Sequence, residues 1–124
     1  MFLVIDLISA CRENAIGASD SRVIKDHRFS ALSFSNGFEP SKGRLNGGGA
    51  WRPSSNNSDD EYLQIDLGSV YFVCAVATQG NPSADEWTKT YKIETSLDNV
   101  KWDMHQENNT VKVLMSSLIM YIQE

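Results

Sequence analysis

Two aromatic side chains in the first half of the chain are placed where they could contact a ligand. Phe34 and Phe38 flank the turn dipeptide at residues 36–37. On an exposed turn, both rings could insert into a membrane interface or stack on the face of a sugar. The alternative is that they fold back into the core, since large aromatic side chains are usually well buried. The pair is therefore a candidate contact surface whose exposure depends on the fold.

Two cations follow these rings in the sequence. Lys42 and Arg44 could bind phosphate, sulfate or carboxylate groups. The alternative is a solvated face or an internal salt bridge, and this applies more strongly to Arg44. The glycine run at residues 47–49 is not followed by the Lys-Ser/Thr pair of a nucleotide-binding loop, so it is interpreted as a flexible hairpin tip.

The chain contains no pattern that predicts catalysis or a cofactor. It has no nucleophile elbow, HExxH motif or phosphate-binding loop, and His27 and His105 are isolated. Acidic residues at 59–61 and 85–86 could supply oxygen ligands to calcium. Neither stretch follows a known calcium-loop pattern, so a solvated acidic turn is the preferred interpretation and no metal site is predicted.

Size and charge restrict the class of protein. The 124 residues are enough for one domain with a single core. The net charge of −5 argues against general nucleic-acid binding and weakens adsorption to anionic membranes. Residues 1–10 are apolar but too short to span a bilayer, and are interpreted as a signal remnant or an N-terminal strand.

Short strands separated by turns must position these side chains. Apolar and polar residues alternate over residues 62–67, and Gly68 is expected to end that strand. A continuous apolar run over 71–77 predicts a buried strand, and 88–95 alternates again before a hairpin turn at 98–99. The tail at 111–124 is consistent with a strand or a short helix. This pattern predicts an all-β sandwich or barrel.

Six sequence segments, taken in order, resemble the discoidin or coagulation factor V/VIII type C (F5/8 type C) domain family. The resemblance covers roughly residues 11–113. Each motif is weak alone, whereas six in order with similar spacing are specific. The segments are Cys11 with 15–17 (AIG), 44–46 (RLN) with 50–51 (AW), 62–68 (YLQIDLG), 76–80 (VATQG), Trp87 with 91–93 (YKI), and 96–102 (SLDNVKW).

The resemblance implies a galactose-binding-like jelly-roll β-sandwich over residues 11–113, followed by a divergent tail at 114–124. It also implies that the last strands of the sandwich are missing, together with the closing cysteine that would pair with Cys11. Cys74 is interpreted as a buried free thiol rather than a substitute partner. Asn56 and Asn108 lie in glycosylation sequons, which matter if the chain is secreted.

In the family this chain resembles, ligands meet loops at one end of the sandwich. Here those loops correspond to residues 33–39, 46–49 and 80–87. The resemblance implies an extracellular, secreted or cell-surface, non-catalytic module of a larger protein that binds a glycan, the extracellular matrix or a cell-surface protein. The alternatives are a module for anionic phospholipid membranes and a non-functional fragment of an adhesion protein. The expected ligand-binding residues are Phe34, Asn36, Phe38, Lys42, Arg44, Asn46, Asn81 and Trp87.

Overall fold

The structure is a computed structural model that describes residues 17–55, 60–73, 76–105 and 113–123. In these residues all regular structure is β-strand or short 3₁₀ helix, which confirms the predicted all-β class. Within these ranges, 3₁₀ helices span Asp26–Arg28 and Pro40–Gly43. The five strands are β1 (Phe29–Ala31), β2 (Tyr62–Val73), β3 (Thr90–Ser96), β4 (Asp103–Met104) and β5 (Val113–Gln123).

These strands form one antiparallel sheet in the order β1-β2-β5-β3-β4. The tail is thus a strand, and it lies in the middle of the sheet between β2 and β3. Because β2 and β3 are each antiparallel to β5, they run in the same direction. Their first residues pair near one another on β5, Tyr62 with Tyr121 and Thr90 with Gln123. The segments that lead into β2 and β3 therefore lie at the same end of the sheet.

The alternating half of β2 supplies the centre of the core. Leu63 and Ile65 are fully buried and Leu67 is nearly so, whereas Gln64 and Asp66 are half-buried. This confirms the predicted two-residue period, because successive side chains of a strand point to opposite faces. Burying each of these aliphatic side chains contributes about 1.5–3 kcal/mol. The remaining members of the core cluster are Ala18, Ile24, Phe29 and Trp51.

Gly68 does not end the strand, contrary to the sequence-based prediction. β2 continues to Val73, and its pairing with β5 shifts between Asp66 and Tyr71. Gly68 has φ +74, a backbone conformation in which glycine avoids the strain of other residues. The extra residues of β2 are accommodated as a bulge. The expected strand at 71–77 therefore begins as the second half of β2, with Tyr71 and Val73 partly buried against the core.

The predicted hairpin at residues 98–99 is confirmed, since β3 and β4 pair antiparallel across it. The carboxylate of Asp98 accepts hydrogen bonds of 2.9 Å from the backbone N–H groups of Val100 and Lys101. These bonds hold the pKa of Asp98 below its usual value. The hairpin follows the last residue of β3, so it lies at the end of the sheet opposite the segments that lead into β2 and β3.

No helix in the described ranges is long and apolar enough to cross a membrane.

Candidate ligand-binding surface

The first loop, residues 33–39 (loop A), follows β1 and leads away from the sheet at the end where β2 begins. A 2.9 Å hydrogen bond from Phe38 N to Ser35 O closes its turn, and Gly37 has φ +83. Phe34 is 49% exposed, while Phe38 is half-buried. Of the two predicted aromatic tips, Phe34 is thus available for contact and Phe38 is largely packed against the protein. Asn36 is exposed at the tip.

Arg52 connects loop A to the rest of this end of the molecule. Its backbone carbonyl accepts a 2.9 Å hydrogen bond from Ser35 N, and its N–H donates to Phe38 O at 3.4 Å. Its guanidinium carbon lies 3.9 Å from the centroid of the Phe38 ring, a cation–π distance. The guanidinium also forms a 3.4 Å ion pair with Glu86 Oε1. We call these contacts with Phe38 and Glu86 the Arg52 bridge.

The loop at residues 80–87 (loop C) is closed by its own hydrogen bonds. Asn81 N donates to Glu86 O and Asn81 Nδ2 donates to Glu86 Oε2, both at 2.8 Å. The Asn81 side-chain oxygen accepts from Ser83 N at 3.0 Å. Asn81, expected to contact a ligand, is therefore engaged within its loop. Trp87 is 59% exposed and presents an aromatic face to solvent at the end of the loop.

The glycine-rich loop at residues 46–49 (loop B) lies beside loop C. Asn46, with φ 54, donates its N–H to Gln79 Oε1 at 3.0 Å. Lys42 is exposed, and a Cβ added at Gly49 would lie 3.3 Å from the Lys42 Cβ, so the lysine stem packs beside loop B. Loop C thus contacts loop A through the Arg52 bridge and adjoins loop B through Gln79. The three loops lie together at one end of the sheet.

Arg44 does not belong to this surface. It is 8% exposed, and its guanidinium donates to Ala18 O at 2.7 Å, Ile24 O at 2.6 Å and Asp26 Oδ1 at 2.7 Å. The Phe29 ring lies beneath it, 4.3 Å from the guanidinium carbon. Every one of these partners belongs to the protein itself, so Arg44 follows the alternative of an internal salt bridge. We therefore remove Arg44 from the expected ligand-binding residues and interpret it as part of the scaffold.

Glu61 is a buried acidic residue at the base of loop A. It is 5% exposed, its Oε1 accepts a 2.7 Å hydrogen bond from Ser33 Oγ, and its Oε2 has no hydrogen-bond partner. The sequence places Glu61 in a solvated acidic turn, and this interpretation is wrong for Glu61. The alternation of β2 could have identified it, since Glu61 is in phase with inward-facing Leu63 and Ile65.

The other described residues of the two acidic stretches, Asp60, Asp85 and Glu86, do not form a cluster that would favour calcium. Asp60 and Asp85 are exposed, and both carboxylate oxygens of Glu86 have protein partners, Arg52 and Asn81. Across the described ranges, no group of three or more His, Cys, Asp or Glu residues could hold a metal ion. The predicted roles of Cys11, Cys74, Asn56 and Asn108 lie outside the described residues.

Comparisons with known proteins agree with this architecture. The sequence model of the F5/8 type C domain matches residues 26–117. The chain is 30% identical to rat (Rattus norvegicus) neuropilin-2 over 108 residues, 82% of this chain and 12% of that protein. It is 33% identical to mouse (Mus musculus) coagulation factor V over 106 residues, 77% of this chain and 5% of that protein. It is 36% identical to rat lactadherin over 87 residues, 66% of this chain and 20% of that protein.

The chain therefore spans a fifth or less of the length of each of these relatives. The relatives are extracellular or cell-surface proteins, and their modules of this kind are non-catalytic binding modules. The chain has the same character, an extracellular binding module without catalytic activity. Its matched segment includes loops A, B and C and most of the sheet, and on that basis the chain belongs to the F5/8 type C domain family.

Proposed function

We propose that this chain is an extracellular recognition module that binds a glycan, or the surface of a matrix or cell-surface protein, through loops A, B and C. One observation carries the proposal: the Arg52 bridge joins two loops that each leave a large aromatic side chain exposed. Phe34 is 49% exposed and Trp87 is 59% exposed. Loops on a rigid β scaffold commonly form binding surfaces, and aromatic side chains at their tips commonly dominate the binding energy.

The charges at this end favour a glycan or a protein over an anionic membrane. Loop C carries Asp85 and Glu86, and loop A carries Glu39. Backbone N–H groups of Glu39 itself and of Gly37 hold the pKa of the Glu39 carboxyl below its usual value, so that side chain stays charged. The guanidinium of Arg52 is already paired with Glu86. An aromatic face beside acidic and amide groups is suited to the apolar face and hydroxyls of a sugar.

A phospholipid surface is the second candidate, and the same two rings favour it. Tryptophan is enriched where proteins meet the membrane–water interface, because its ring is apolar and its N–H is polar. Phe34 and Trp87 lie on joined loops, and Lys42 is exposed beside loop B. The net charge of −5 weighs against this candidate, since anionic lipids repel an acidic protein.

Binding measurements on the purified protein test both candidates. The probes are a glycan array, a panel of immobilised matrix proteins, and vesicles of phosphatidylcholine with or without phosphatidylserine. We expect Phe34→Ala and Trp87→Ala each to weaken binding to the recognised glycan or protein by about tenfold, the usual effect of truncating an aromatic anchor. Val100→Ala is the matched control, because Val100 is 78% exposed on the opposite hairpin.

The outcomes separate the candidates. Binding to phosphatidylserine vesicles that is lost in both aromatic variants, without any glycan or protein signal, would replace the first candidate by the second. If both variants bind every recognised probe as well as the parent does, the three loops are not the binding surface.

A further inference from the structure

We infer that Arg52 is a positioning residue that sets the spacing of the two exposed aromatic rings, by coupling loop A to loop C through an ion pair that salt can loosen. This inference rests on the proposed function for its role in binding, although the coupling itself is a property of the free protein. Arg52 lies outside all three loops, in the segment that follows the fully buried Trp51.

The position of Arg52 relative to the two rings is the first argument. Ser35, next to Phe34, donates its N–H to the Arg52 carbonyl. Glu86, next to Trp87, accepts from the Arg52 guanidinium. Each exposed ring is thus one residue away from a direct contact with Arg52. A ligand that touches both rings must match a spacing that depends on the backbone and the side chain of this one residue.

The way loop C is built is the second argument. Glu86 uses Oε1 for Arg52, whereas its Oε2 and its backbone carbonyl are held by Asn81. Removing the contact between Arg52 and Glu86 therefore leaves the internal turn of loop C closed. What changes is the attachment of loop C to loop A. Variants at this pair accordingly probe the relative position of the loops rather than the folding of either one.

The exposure of the pair is the third argument. The side chains of Arg52 and Glu86 are 40% and 44% exposed, and their closest atoms are 3.4 Å apart. Ion pairs this exposed add little to global stability and weaken as salt screens them. A weak pair that joins two ligand-contacting loops, and is supported on its other side by the Phe38 ring at 3.9 Å, is suited to adjusting their spacing.

Amide hydrogen exchange of the free protein tests the coupling without any ligand. In Glu86→Gln we expect the amides of loop A, including that of Phe38, to exchange about two- to fivefold faster, the range that an exposed ion pair supports. Raising NaCl from about 0.1 M to about 1 M should speed loop A exchange similarly in the parent, because the screening length falls from about 10 Å to about 3 Å. The same salt change should have no effect on loop A in Glu86→Gln.

Three further variants control for charge and geometry. Arg52→Lys keeps a cation opposite Glu86 and should retain part of the protection that Arg52→Gln removes, and both variants leave the contacts of Glu86 with Asn81 in place. Asp85→Asn removes a neighbouring exposed carboxylate that forms no ion pair with Arg52 among the described residues, and it should leave exchange in loop A unchanged. Loop A exchange that is the same in the parent, in Glu86→Gln and at both salt concentrations would overturn the inference.

Binding of the same glycan, matrix-protein and vesicle probes separates this inference from the proposed function. If Glu86→Gln speeds hydrogen exchange in loop A and also weakens probe binding, the results support both the coupling of the loops and the proposed function. If Glu86→Gln speeds exchange in loop A but the parent protein binds no probe, the coupling is established and the proposed function is refuted. Unchanged probe binding in Glu86→Gln, despite faster loop exchange, would refute the positioning role.

Discussion

Truncating Arg44 should be among the most damaging single changes in this domain. Arg44→Ala removes the donors from two buried carbonyls, Ala18 O and Ile24 O, and the cation over the Phe29 ring. Each buried acceptor left unsatisfied costs about 1–3 kcal/mol. The lost cation–π contact adds about 1 kcal/mol. Because the site can relax in part, we expect the free energy of unfolding to fall by about 3–5 kcal/mol, in the lower part of what these losses amount to together.

Urea unfolding followed by circular dichroism and tryptophan fluorescence measures this loss. Lys89→Ala is the control, because Lys89 is exposed and a surface substitution of this kind should change the free energy of unfolding by less than about 0.5 kcal/mol. Arg44→Lys should lie between the two, since an ammonium cannot reach all three acceptors in the guanidinium geometry. A loss below about 1 kcal/mol in Arg44→Ala would show that the carbonyls find other partners and would refute the reasoning.

Three other predictions concern stability. A hydrogen bond from the Arg22 side chain lowers the pKa of Asp20 from 3.8 to about 2. Because the folded-state value is the lower one, its stabilisation is present above pH 3.8 and lost as the pH falls towards 2. Asp20→Asn should therefore reduce the pH dependence of the urea midpoint in that window, and an unchanged dependence would contradict the assignment. Gly68→Ala should destabilise the domain by about 1–2 kcal/mol, because φ +74 disfavours a Cβ and the added atom would lie 2.6 Å from Arg28 Nη1; a stabilised variant in thermal melts would argue against the bulge. Glu61→Ala should lower the free energy of unfolding by about 1 kcal/mol, because it removes the acceptor of the hydrogen bond from Ser33 Oγ, and an unchanged value in urea titrations would contradict that contact.

Local features of the sheet could be predicted from the sequence because they depend on a few neighbouring residues. The alternation in β2 identifies Leu63 and Ile65 as core, since the two-residue period is a property of any strand. The hairpin after β3 follows from the turn residues Asp98 and Asn99. The alternation predicted for β3 itself is not seen in its burial, which increases along the strand from exposed Thr90 to buried Ser96.

The features that depend on distant partners could not be predicted in this way. The continuation of β2 past Gly68 depends on pairing with residues of β5 that lie about forty positions later in the chain. The Arg44 side chain donates hydrogen bonds to carbonyls that lie 20 and 26 residues earlier in the chain. Arg52 pairs with Glu86, which lies 34 residues later. Periodicity and turn chemistry carry no information about such contacts. The resemblance to the family indicated which segments form the loops, but it could not indicate which of their side chains are exposed to solvent.

The central place of β5 has a consequence for how the domain is made. β2 and β3 do not pair with each other; each pairs with β5, which follows both of them in the chain. During synthesis, β2 and β3 emerge from the ribosome before the strand that joins them. Folds dominated by such long-range pairings form slowly, and their strand edges stay unpaired until the partner strand is available. We expect the nascent domain to depend on chaperones in the secretory pathway until residues 113–123 have emerged.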